Sequence, residues 1–428
     1  MPQPRQLVEH FFRHESARLV ASLTRLFGVR HLGLVEDVVQ ASLLRALTSW
    51  SLRGVPNEPA AWLRRVAHRL AIDALRRDTR WSPLGGRDVE RPGQVPSWED
   101  VGDDQLRMIF VCCDDAVPAE SQVALALKTL CGFGTEEIAR ALLTSEANVA
   151  RRITRAKEKL REVGLDPGAL TAGMIQDRLD AVLSVVYLLF NEGYGSTRAD
   201  QLVREELCEE AVRLALVLAE HPLTEGPRTA AFVALLLFHA SRLAGRVDDR
   251  GMLLLLEEQD RAAWDQGLIA EAFRWFARSA GGDRPSRYHA EAWIAAEHCR
   301  ARRFADTDWG RIVQAYDLLF ALAPSPVHEL NRAIAVAGRD GAEAGWAALQ
   351  AIRAERLADQ YHLWSATAGE LARRRGAWVE AREFLEQAAG LARTDAERRL
   401  LRRRLAELGG GRLALDAPGQ QQADDGEP

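Results

Sequence analysis

The stretch TEEIARALLTSEANVARRITRAKEKLR, residues 135–161, reads as two short helices around a tight turn. In the first, Ile138, Ala139, Leu142 and Leu143 recur at helical spacing, and Thr144 and Ser145 supply turn and N-cap oxygens before the second. Val149, Ile153 and Leu160 give the second helix an apolar stripe. Its other faces carry Arg151, Arg152, Arg155, Lys157, Lys159 and Arg161 against Glu158: six bases minus one acid, or +5 over residues 147–161. Such a helix suits a polyanion. In a helix-turn-helix the start of the second helix reads base edges while flanking bases grip phosphate. A solvated basic face would carry the same charge, but the turn chemistry in front of the helix favours the DNA reading.

The rest of the chain sets the frame. With 428 residues and 47% hydrophobic content it can bury a large core, divided into two or three domains. The net charge is -5, so base is a local feature here and not a global one. Five cysteines, Cys112, Cys113, Cys131, Cys208 and Cys299, show no CxxC spacing and no histidine at ligand distance. We expect free thiols in a reducing compartment, with no metal and no cofactor. The start, MPQPRQLVEHFF, lacks a signal-peptide core, and the apolar run Phe232–Phe238 is too short to span a bilayer. These point to a cytoplasmic protein without a membrane partner. Strand signals are nearly absent and apolar residues recur at three and four, so the expected fold is all-α.

Breaks in composition divide the chain. A helical block covers residues 5–80, a Pro-, Gly- and acid-rich linker 81–104, and a second block 105–163. A helical region follows over 174–408, then a tail, 409–428, with too little apolar surface to fold.

The first block contains EDVVQASLLRAL (36–47), with Val38, Val39, Leu43 and Leu47, preceded by Val35, on its inner face. PAAWLRRVAHRLAIDALRR (59–77) turns Leu63, Val66, Leu70, Ile72 and Leu75 inward. Outward it shows Arg64, Arg65, Arg69, Arg76, Arg77 and, just beyond, Arg80: six bases minus Asp73 and Asp78, or +4 over 61–80. Trp62 and Trp50 flank the loop SLRGVPNEP. Rings beside arginines suit unpaired bases, since rings stack and guanidiniums track the backbone. Core filling is the other reading of each tryptophan.

These two helices, a variable linker, and then GFGTEEIARALLTSEANVARRITRAKEKLRE resemble, in that order, the extracytoplasmic-function group of bacterial sigma factors over about residues 5–163. The resemblance implies that the first block is sigma region 2, which binds the β′ clamp helices of RNA polymerase core and reads the −10 element. The second is then region 4, which binds the β flap and reads the −35 element of promoter DNA. It places Asp37 and Gln40 on the polymerase face, and Trp62, Arg65, Arg69, Asp73 and Arg76 on the −10 helix. Ser145, Asn148, Arg151, Arg152, Arg155 and Lys157 fall on the −35 helix. Two departures stand out. Ala41 and Ser42 follow Gln40 where the family usually has an acid, implying a weaker or differently arranged clamp contact. Leu142–Leu143 replaces the usual small residue of the turn.

Beyond region 4 lie more than two hundred further residues, more than such sigma factors need. Tyr361–Ala392 follows a degenerate tetratricopeptide repeat, with Gly369 facing Ala381, Leu385 and Ala388, and 327–352 echoes it weakly. VVYLLFNEGYGST (185–197) ends a buried helix at Gly193 or Gly195; Asn191 and Glu192 are read as caps of that end, with lining a groove or touching the sigma blocks as the alternatives. The whole resembles sigma factors carrying a fused tetratricopeptide-like domain, which implies modulation through contact with the sigma blocks. His289, His298, His328 and His362 form no HExxH or triad, so the expectation is not an enzyme. The alternatives are a helical-repeat scaffold and an autonomous helix-turn-helix activator.

Overall fold

The structure, a computed structural model, describes residues 4–77, 98–142, 144–164, 170–195, 203–282, 284–352, 361–392 and 394–415, with the side chains of 4–14, 77, 98–103 and 409–415 excepted. The described residues are all-α, with only an isolated bridge, Val247 to Leu253, of β character. Two compact units divide the chain: Met1–Gly195 with Arg204–Thr229, and Ser196–Val203 with Ala230–Pro428.

In the first unit, α1 (Pro4–Phe27), α2 (Leu32–Arg53) and α3 (Pro59–Arg77) form the first block. Val35, Val39, Leu63, Ala67 and Leu75 are its buried seam, as the periodicity of α2 and α3 requires. Leu47, expected inside, is 45% exposed, because it lies on the outward face of α2 with Gln40 and Leu44, while Ala46 takes the buried position of that turn. The second block holds α4 (Trp98–Cys112), α5 (Ala119–Leu130), α6 (Thr135–Ala141) and α7 (Glu146–Val163). Of the expected linker, residues 81–97 lie outside the described residues, while 98–104 already belong to α4. The blocks pack on each other, α1 against α4 and α5. Arg25 of α1 pairs at 2.9 Å with Asp104, a buried acid of α4.

Next come α8 (Ala172–Tyr194) and α9 (Glu205–Glu220). They share this unit, α8 lying on α4 and α5, so the expected division at residue 174 falls inside it. The helix ends at Gly195, its C-cap. Gly193 is instead a contact: a Cβ there would sit 2.8 Å from the Arg204 carbonyl oxygen and 2.7 Å from Cys208 Sγ.

The second unit takes α10 (Pro227–Ala240) from Ala230 onward, then α11 (Gln266–Arg278), α12 (Arg287–Arg300), α13 (Trp309–Leu322), α14 (Pro326–Asp340), α15 (Ala342–Gln350), α16 (His362–Arg374), α17 (Trp378–Leu391) and α18 (Asp395–Leu415). From α11 on, each helix packs on the next, as in stacked helical repeats, and α14 also meets α16. At the α16–α17 crossing a Cβ on Gly369 would lie 2.9 Å from Leu385 Cγ, so only glycine allows this approach. Gly376, at φ 78°, makes the turn between the two. The α18 helix runs through Gly409–Gly411 to Leu415, further than the expected tail boundary; residues 416–428 lie outside the described residues.

Candidate nucleic-acid interface

The turn chemistry of residues 135–161 fixes how α7 is presented. Ser145 caps it, its Oγ accepting from the Asn148 backbone N–H at 3.3 Å, and Asn148 Nδ2 donates to Thr144 Oγ1 at 3.2 Å. Glu137 Oε2 accepts from the Gly134 N–H at 2.6 Å and so starts α6. Val149, Ile153, Ala156 and Leu160 are buried and Gly164 closes the helix in left-handed geometry. Leu143, in the turn, lies outside the described residues.

With that stripe turned inward, Ser145, Arg151 and Arg155 face solvent and Asn148 is half-buried beside them. The two remaining candidates are engaged inside the unit: Arg152 pairs with Glu120 of α5, and Lys157 with Glu36 of α2. Thr129 of α5 also donates to Glu36, at 2.9 Å. Glu36 therefore joins the two blocks.

On α3, Arg65, Arg69, Asp73 and Arg76 are all exposed, and their spacing of four, four and three makes one stripe. Trp62 heads that stripe half-buried, its ring edge-on to Trp50 at 5.6 Å. Arg64, expected outward, is 9% exposed and faces the field of Glu15 from α1, because its position falls on the packed side of α3. Arg77 has no described side chain and Arg80 lies outside the described residues. On α2, Asp37 and Gln40 are exposed one turn apart, next to Leu44 at 64% and Leu47 at 45% exposure.

Three patches thus share one unit, a polar-apolar one on α2 and cationic ones on α3 and α7. Residues 11–81 match sigma-70 region 2, and residues 107–160 match sigma-70 region 4. The ECF RNA polymerase sigma factor SigK of Mycobacterium ulcerans (strain Agy99) is 25% identical over 156 residues, 35% of this chain and 82% of its own length. The chain belongs to the extracytoplasmic-function sigma factors. Another relative, the uncharacterized protein R00370 of Rhizobium meliloti (strain 1021), is 38% identical over 401 residues, 92% of this chain and 94% of its own. Residues 178–280 match a family of unknown function, DUF6596. No solved structure matches. As a sigma factor, the chain acts in transcription initiation with RNA polymerase core and promoter DNA as partners.

The sequence reading of this sigma factor missed the charged residues that bind α8 and α9 to region 4. Arg178 of α8, 4% exposed, donates to Asp114 at 2.5 Å and to the Phe110 carbonyl at 3.2 Å. Arg204, 2% exposed, meets Glu137 at 3.3 Å, Glu206 at 3.3 Å and Glu192 at 3.6 Å. Glu192 is therefore a buried ion-pair member linked to region 4 through Arg204, which follows the alternative of contact with the sigma blocks over that of a cap. An arginine heading the apolar run of α8 was the one signal available; its acid partner lies 64 residues away.

The described residues hold no cluster of metal-ligating side chains and no helix long and apolar enough to cross a membrane. Burial pushes the Cys113 thiol up to about 12 and Cys299 to about 11, so neither is a thiolate at neutral pH.

Proposed function

We propose that the packed arrangement of regions 2 and 4 is the resting state of this sigma factor, and that α8 and α9 hold it. In the working state Asp37, Gln40, Leu44 and Leu47 meet the β′ clamp helices. The α3 stripe headed by Trp62 reads the −10 element. The α7 face of Ser145, Asn148, Arg151 and Arg155, with Arg152 and Lys157 released from their acids, reads the −35 element, region 4 lying on the β flap.

The observation that carries this reading is the Glu36–Lys157 pair, which holds the −35 helix against the polymerase-facing helix. Elements centred some 25 base pairs apart, at about 3.4 Å per step, are roughly 85 Å from each other on straight duplex. Blocks in direct contact cannot reach both, so region 4 must leave region 2 on the promoter. Arg178 and Arg204 tie α8 and α9 to region 4, and Arg18 of α1 lies in the field of Glu210 on α9, so the fused helices bridge the two blocks, oppose that release and restrain initiation.

Run-off transcription with purified core polymerase tests the reading. Glu36→Gln removes the inter-block charge and leaves every promoter-facing side chain in place; it should raise promoter-specific initiation by a factor of about 2–5, the worth of a part-exposed ion pair. Initiation unchanged or lowered would refute the resting-state assignment. Truncation belongs after Thr229, since a cut at residue 174 would bare the apolar faces of α4 and α5 that α8 covers.

A further inference from the structure

We propose that the second unit carries a binding site for a neutral lipophile with one hydrogen-bonding group. The inference is independent of how the sigma blocks engage a promoter. It rests on a 360 Å³ cavity whose walls come from α14, α16, α18 and the irregular segment before α11; Leu256, Trp309, Ile334, Leu363, Ala366 and Leu401 are among its lining. That volume lies within the usual span of small-molecule sites, about 300–1,000 Å³. Two other cavities of similar size are rimmed by Glu297, Arg300 and Arg311, and by Asp317 and Arg332, as solvated clefts are.

Three observations select the ligand. First, large aliphatic side chains stand in water at the cavity: Leu363 is 45% and Ile334 41% exposed, an arrangement that costs free energy until something covers them. Second, the charged groups of the lining are committed to one another. Arg374 bridges Glu370 at 2.6 Å and Glu257 at 3.4 Å, Arg404 also binds Glu370, and His362 faces Glu397 at 3.4 Å. An ionic ligand would have to break one of these pairs; a neutral one breaks none. Third, Thr367, 9% exposed, brings the one hydroxyl of the lining. That hydroxyl, both donor and acceptor, gives a bound carbonyl or alcohol its single polar anchor. The volume suits one compact molecule, not the row of side chains that a docked helix would insert.

Calorimetric titration of the full-length protein with n-octanol, octanoate and octylammonium tests both site and charge. We expect saturable one-to-one binding of n-octanol, with either charged analogue at least about tenfold weaker. Ala366→Phe should fill the cavity and abolish binding. Thr367→Val should weaken it roughly 2- to 10-fold, the share of one neutral hydrogen bond. If Ala366→Phe lowers the melting temperature, Leu363→Trp, at the exposed mouth, blocks the same space without touching the core. Absence of saturable binding, undiminished binding in the blocked variants, or tighter binding of a charged analogue would each overturn the proposal. So would sedimentation showing that the blocked variants dissociate a dimer, since the cavity would then be occupied by a second copy.

Discussion

Lys157 of α7 pairs with Glu36, the residue that precedes Asp37 on α2. The two side chains are 25% and 21% exposed, so the pair is screened and worth no more than about 1 kcal/mol. A contact that weak suits a latch, because partners of ordinary affinity can break it. Glu36→Gln should leave the melting temperature within about 2 °C of the parent. Binding of duplex promoter DNA in the absence of polymerase should rise, as read by fluorescence anisotropy at fixed salt.

Arg155 is exposed on the α7 surface and Arg151 beside it donates to Asn148 Oδ1 of the same helix, whereas Arg152 must first leave Glu120. Arg155→Ala should therefore cost −35-dependent initiation about 1–3 kcal/mol if the guanidinium reads a base. If it grips phosphate instead, the salt slope of DNA binding falls by about one and every sequence weakens alike. Titration of the variant against matched and scrambled −35 sequences separates the two.

Arg204 neutralises a cluster of acids with almost no water to help. Arg204→Met leaves Glu137 and the buried Glu192 facing each other uncompensated, and should destabilise the first unit by about 3–5 kcal/mol. The check is the midpoint of urea unfolding of the full-length chain followed in that unit. A loss under about 1 kcal/mol would show that solvent reaches the acids.

Gly193→Ala tests the closeness of α8 and α9. Helix propensity alone would favour alanine by about 1 kcal/mol. Here the new methyl meets backbone, Arg204 O and Cys208 N each at 2.8 Å, which cannot rotate aside. We expect a net loss of about 1–3 kcal/mol, seen as a lower melting temperature.

Acid should loosen the second unit. Burial, reinforced by Arg242, pushes His239 and His298 down to about 3. Unfolding returns both to about 6.5, so between those values the unfolded chain binds more protons than the native one. The stability they contribute is complete above about pH 6.5 and is lost as pH falls toward 3. Each residue keeps some surface in water, which moderates the effect to about 1–2 kcal/mol per histidine by pH 5. Calorimetric scans across this range should show the transition of the second unit falling, and His298→Gln should flatten the fall.

The sequence by itself determined the helical fold, the block order, the cap at Ser145, the exposed basic stripes of α3 and α7 and the small-residue crossing at Gly369. Each is written in spacing over a few residues, where the helical period and local hydrogen bonding set the outcome. Tertiary structure alone decided that Leu47 is exposed, that Arg64 is buried, and that Glu192 serves an ion pair. It also decided that Lys157 answers to a glutamate 121 positions earlier. The cause is physical: burial and ion pairing depend on which surfaces meet, and no local pattern records the partner of a charge that lies across the fold.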